Sequence, residues 1–129
     1  MNIRPQYHFR RSKEGRLLIW DVRKLITQAQ SLDKRLVKIS DLTEVDECYW
    51  YEPGGDQPTC RSVTEHAKII QESDLNYPII LCQQGKIMDG MHRVCKAMIL
   101  GHKMIYAVQF KYYIDPDYID LDPKDLNYD

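Results

Sequence analysis

A small α/β protein of the α+β kind, with one mixed sheet and flanking helices in a single domain, is predicted for this chain by three features. Its 129 residues suit one domain. Short apolar or β-branched runs alternate with stretches whose apolar residues recur at helical spacing. Hydrophobic residues make up 43% and charged residues 29%, the balance of a chain that buries its own core and unlike that of a disordered one.

Residues 1–35 form a basic extension: Arg4, Arg10, Arg11, Lys13 and Arg16 stand against Glu14 alone within residues 1–16. In it, Leu17-Leu18-Ile19-Trp20 leads to Asp21, an N-cap residue type, and Val22, Leu25, Ile26 and Ala29 then repeat as one face of an amphipathic helix. Leu36-Val37-Lys38-Ile39 reads as a short strand, followed by an acidic stretch from Asp41 to Glu47 and the aromatic run Tyr49-Trp50-Tyr51. The turn-rich segment from Glu52 to Pro58 is a loop inside the domain. Ser62-Val63-Thr64-Glu65 has the capping-box pattern, which predicts a helix starting there and running to about Glu72.

Pro78-Ile79-Ile80-Leu81-Cys82 has the continuous apolar character of a buried strand, and Gln83-Gln84-Gly85-Lys86 turns it into a second short strand, Ile87-Met88. After Asp89 the period becomes helical, with Val94, Ala97 and Met98 on one face and Gly101 placed as a C′ glycine. Ile105 to Phe110 returns as a strand. The acidic tail, residues 111–129, contains Pro116 and Pro123 and is expected to wrap the surface without regular structure.

Composition excludes some classes and weighs others. No apolar run approaches the roughly 20 residues of a membrane span, and the N-terminus lacks the apolar core of a secretory signal, so a cytoplasmic address and no membrane partner are expected. Cys48, Cys60, Cys82 and Cys95 never form Cys-x-x-Cys, which points to reduced thiols, with Cys82 and Cys95 in apolar surroundings. Net charge is -1, yet the basic start is answered by six aspartates in residues 115–129. That polarity favours solvated or intramolecular pairing over a DNA-binding arm, for which five interrupted cations are a modest footprint.

The informative unit is strand, Asp89-Gly90-Met91-His92-Arg93, helix. The first amides of a helix lack partners and carry the positive end of its dipole, so such an end attracts anions. Gly90 would let a phosphate approach the backbone, and His92 and Arg93 would add charge-assisted hydrogen bonds. The competing reading is that Asp89 only caps the helix, using the donors a phosphate needs.

Taken in order, Tyr77 to Leu81, Gly85 to Arg93, then Ala97, Gly101 and the strand to Phe110 resemble the ParB-like and sulfiredoxin-like superfamily, over a core of about residues 36–110. The resemblance implies that nucleotide phosphate, as ATP, ADP or CTP with Mg2+, binds at this turn. Sulfiredoxins carry a catalytic cysteine where this chain has Met91, and no segment resembling the later domains of partition proteins follows Phe110. The turn is most similar to the Asp-Gly-His-His-Arg of free-serine kinases, with Met91 in place of the first histidine.

That resemblance implies a phosphotransferase or nucleotide hydrolase acting on a small polar metabolite, with a nucleotide-sensing, DNA-associated module without catalysis, or a scaffold, as alternatives. Gly90, Met91, His92 and Arg93 would hold phosphate, with Arg61 and His66 facing the site. Asp89 would orient metal or acceptor, Glu44 or Glu47 would serve as base, and Trp50 would form a substrate wall. His8 and His102 stand in no comparable pattern.

Overall fold

The structure, a computed structural model, describes residues 6–128. In chain order it contains β1 (Tyr7–Arg11), β2 (Leu17–Asp21), α1 (Val22–Ala29), β3 (Arg35–Lys38), α2 (Cys60–Glu72), β4 (Ile79–Leu81), β5 (Ile87–Asp89), α3 (Met91–Ile99), β6 (Met104–Gln109) and β7 (Tyr118–Ile119), with short 3-10 turns at Ile39–Asp41, Thr43–Asp46 and Pro123–Asp125. The fold is α+β. Its strands form two sheets where one was expected, ordered β1-β2-β7 and β3-β6-β4-β5.

The larger sheet is mixed: β4 runs parallel to β6, and its other pairings are antiparallel. Strand β4 explains how it is packed. Successive residues of a strand point to opposite faces, so Ile79 and Leu81 join Ile87, Val94, Ala97, Ile105 and Ala107 in a core beneath α3. Ile80 and Cys82 turn the other way, into a second core with Trp20, Leu25, Met88, Val108 and Phe110 beneath α1. Because both faces are covered, β4 is apolar throughout. Trp20, 1% exposed, donates its indole N–H to the Ile114 carbonyl at 2.8 Å, which satisfies the one polar group it buries.

Local signals fix several boundaries. Asp21 caps α1, accepting from the Arg23 amide at 2.9 Å, as its residue type predicts. The β4–β5 hairpin closes with Gly85 at φ +82° and the Cys82 N–H donating to the Lys86 carbonyl at 2.8 Å. Gly101, at φ +79°, ends α3, its N–H donating to the Met98 carbonyl at 3.0 Å.

Four expectations need correcting. Helix α2 begins at Cys60, two residues before the capping-box pattern, because Thr59 is the N-cap and its hydroxyl accepts from the Ser62 amide at 3.1 Å. Met98 is not a core residue of α3 but 46% exposed. Arg10 and Arg11 of the basic start do not precede the fold; they lie in β1, joined to β2 by a turn in which Gly15 sits at φ +81°, while Arg4 lies outside the described residues. The tail includes β7, pinned by Asp120, whose carboxylate accepts from the Arg16 guanidinium and from the Leu17 amide, each at 2.8 Å. Asp117 likewise accepts from the Asp21 amide at 2.8 Å and pairs with Lys24 at 3.3 Å. Acidic tail and basic start thus meet within the molecule. Among the described residues, no helix is long and apolar enough to cross a membrane.

Candidate functional site

Helix α3 starts immediately after β5, and how it starts decides what the site can do. Its N-cap is Gly90 at φ +111°, and no side chain among the described residues caps it. Asp89, the alternative cap, instead accepts from Arg93 at 2.9 Å, one turn along the helix. The first intrahelical bond is Val94 N–H to the Gly90 carbonyl at 3.0 Å, so the amides of the first turn are left as free donors at the positive end of the dipole.

Gly90 is required, though for a different reason than close approach by a ligand. A Cβ there would lie 2.6 Å from Ile79 Cγ2 and 2.8 Å from Arg93 Nη2, and a positive φ disfavours any side chain. The glycine lets the turn sit against β4 while the Arg93 guanidinium tucks beneath it.

The α3 start opens onto a cavity of about 580 Å³, within the size range of small-molecule sites. Asp89, Gly90, Met91 and His92 form one side of it. His8, Arg10 and Arg11 of β1 also line it, with Tyr49, Trp50, Tyr51, Glu52 and Asp56 from the long loop and His66 from α2 completing the wall.

His66 Nδ1 and His92 Nε2 are 2.8 Å apart. Their ring centroids lie 5.0 Å apart at an interplanar angle of 18°, so the two imidazoles are joined edge to edge and nearly coplanar. The Trp50 indole covers both, with centroids 4.1 Å from His66 and 4.6 Å from His92. Burial depresses the pKa of both rings, that of His92 to about 4, with His66 and Arg93 adding to the effect. Both are therefore neutral near neutral pH. Tyr51 meets His66 edge-on and shares a hydrogen bond of 3.1 Å with Ser62, which ties the loop to α2.

The predicted residues separate into two groups. Asp89, Gly90, Met91, His92, His66 and Trp50 are brought together around the cavity. Arg93, Glu44, Glu47 and Arg61 do not line it. Arg93 is held by Asp89 and the Pro78 carbonyl, 3.4 Å away, and its side chain is 19% exposed. Glu44 is 8% exposed, and its carboxylate accepts from the Ile87 amide at 2.5 Å, fastening the acidic turn to β5. Glu47 and Arg61 are exposed to solvent. Asp89, expected to orient a metal or acceptor, has its carboxylate engaged by Arg93.

The wall contributed by β1 was missed. His8 is 8% exposed, and its Nδ1 lies 3.5 Å from the Tyr49 hydroxyl, which also donates to the Ile87 carbonyl at 3.2 Å. Its Nε2 has no hydrogen-bond partner among the described residues. Burial, aided by Arg10, pushes the His8 pKa down to about 3, and burial raises that of Tyr49. Arg11 reaches across to Glu52 at 3.4 Å, and the Arg10 guanidinium lies 5.6 Å from the Trp20 ring centroid. The signal that could have found this wall was the turn Ser12 to Arg16, with Gly15, between two short runs carrying β-forming residues.

Fold and site together define a small α+β protein with an open helix start in a polar, aromatic-lined cavity. Compared with protein-family models, with curated proteins and with solved structures, the chain matches none.

Proposed function

We propose that this protein binds the phosphate groups of a nucleotide, or of a small phosphorylated metabolite, in the cavity at the start of α3. The observation that carries the reading is that α3 begins on Gly90 with no side-chain cap while its first residues face a cavity of about 580 Å³. Free helix amides supply donors and positive potential where an anion would sit. Arg10, which also lines the cavity and forms no ion pair among the described residues, supplies the formal charge that Arg93, tied to Asp89, and Arg11, tied to Glu52, do not. Trp50, Tyr49 and Tyr51 provide apolar surface for the rest of the ligand. The resemblance of the Asp89 to Arg93 turn to the ParB-like and sulfiredoxin-like superfamily supports the same reading.

Phosphoryl transfer or nucleotide hydrolysis would need a base at the cavity. Glu44 and Glu47 are not there; the carboxylates on its wall are Asp89, Glu52 and Asp56. Asp89 and Glu52 are paired with arginines, which leaves Asp56 as the carboxylate to test for that role. Among the described residues no three His, Cys, Asp or Glu side chains cluster as metal ligands. A Mg2+ ion would therefore arrive on the nucleotide's own phosphates.

A calorimetric panel of ATP, ADP, CTP and GTP, with and without magnesium, tests the proposal. Binding of at least one nucleotide is expected, weakened by Arg10→Ala. Absence of heat with all four, and with inorganic phosphate, would remove the function.

A further inference from the structure

Two imidazole nitrogens 2.8 Å apart can share only one hydrogen: one ring donates it and the other accepts. In the neutral pair the donating ring turns a bare lone pair outward from its second nitrogen, while the accepting ring turns an N–H outward. Adding one proton changes only the lone-pair end. Both outer nitrogens then carry hydrogen, and the pair presents two donors and one positive charge. A second proton would place two N–H groups head to head. The hydrogen-bonded pair is thus built to hold zero protons or one beyond its neutral complement.

Trp50 keeps this arrangement in register. Its indole lies over both rings at 18–19°, so neither imidazole turns out of the common plane without losing a stacking contact. His66 comes from α2 and His92 from the free start of α3, so the pair also joins two elements that share the cavity wall.

We propose that the His66–His92 pair is the charge-matching element of this site, taking up one proton when a dianionic tetrahedral group docks at the first turn of α3. The inference rests on the phosphate-binding reading and deepens it. It identifies the favoured ligand as one ending in a dianion, and it makes affinity depend on pH.

The surroundings are consistent with a pair that is neutral when empty and charged when filled. Arg93, adjacent in α3, opposes protonation of His92, and Asp89 at the end of β5 favours it. These two groups are paired with each other and act on His92 in opposite directions. Glu65 from α2 and Asp56 from the loop favour protonation of His66. Glu52 on the loop is matched by Arg11 of β1, and Arg10 beside it adds a further cation. Burial opposes the charge most strongly in the empty cavity, and an anion in contact would reverse that balance.

Titration calorimetry on the full chain tests the inference, with ATP and inorganic sulfate as probes at about pH 7.5 in buffers of different ionisation enthalpy. Sulfate does not titrate in this range, so protons taken up with it belong to the protein. Uptake of about one proton per sulfate bound is expected, with affinity falling about tenfold for each unit of pH increase. His66→Gln should bind sulfate more weakly at this pH and lose both the uptake and the pH slope. Binding without proton uptake, or uptake that persists in His66→Gln, would overturn the inference and leave the phosphate site standing. If neither anion binds, the phosphate-binding reading fails and the inference fails with it. Should His66→Gln not fold, the buffer comparison on the unaltered chain decides alone.

Discussion

Helices α2 and α3 both border the cavity, and their starts are built in opposite ways. Helix α2 is closed by its own sequence, with the Thr59 hydroxyl on the Ser62 amide, and none of its 13 residues is buried. Helix α3 buries Met91, Val94 and Ala97 yet begins on a glycine that offers its amides nothing. The better anchored helix is the one with the open end. Stability and vacancy are separated along a single helix: its apolar face is fixed in the core, so its first turn can stay unsatisfied without the helix fraying. Helix α2 is held at the far end by Lys96, whose ammonium donates to the Gln71 and Ser73 carbonyls at 2.9 and 2.6 Å. At the near end its link is His66 to His92.

This contrast can be broken at several points. Gly90→Ala should be the most damaging change, costing about 3–4 kcal/mol in urea unfolding, because a positive φ and an overpacked contact with Ile79 add together. Arg93→Ala should cost about 3 kcal/mol by leaving Asp89 partly buried without its partner. It should impair anion binding no more than the lost stability explains, whereas an exposed phosphate ligand at that position would have shown the reverse. Val94→Ala, at a site with 0% exposure, should cost about 2 kcal/mol, while Ile69→Ala on α2, 46% exposed, should stay within about 0.5 kcal/mol. Thr59→Ala should cost about 1 kcal/mol, the usual value of a side-chain N-cap.

The last expectation has no size at neutral pH and grows below it. His8 and His92 titrate near 3 and 4 in the folded chain against 6.5 when unfolded, and His66 is lowered as well. The unfolded chain therefore binds more protons in that window. Stability should be complete above about pH 6.5 and fall steadily as pH drops toward 4. Urea midpoints measured across this range check it, and a flat profile would show that the histidines are not held neutral by burial.

Much of the fold was legible because its signals are local. Asp21 as a cap, the continuous apolar run at Ile79 to Leu81, Gly85 in the hairpin and Gly101 after α3 each state a backbone requirement in the residue itself. The start of α2 was misread because Thr59 and Ser62 both carry hydroxyls able to cap, and only the path of the preceding loop chooses between them. At the site, the turn from Asp89 to His92 was legible, since strand, glycine and helix follow one another directly. The partners of Arg93 and Glu44 were not. Arg93 finds the Pro78 carbonyl and Glu44 the Ile87 amide across the fold, and neither residue type announces whether its charge will face a ligand or the chain's own backbone. Strand β1 was hidden by its arginines, which read as a solvated or intramolecularly paired extension rather than as a strand, and Arg10 and Arg11 line the cavity.

The amide resonances of Met91 and His92 report most directly on whether the open start of α3 receives an anion. On titration with ATP and magnesium, both should move downfield in a saturable manner, with the Thr59-capped amide of Ser62 unmoved. If nucleotide binds while Met91 and His92 stay in place, or if neither shifts at millimolar ligand, the helix start is not the phosphate site.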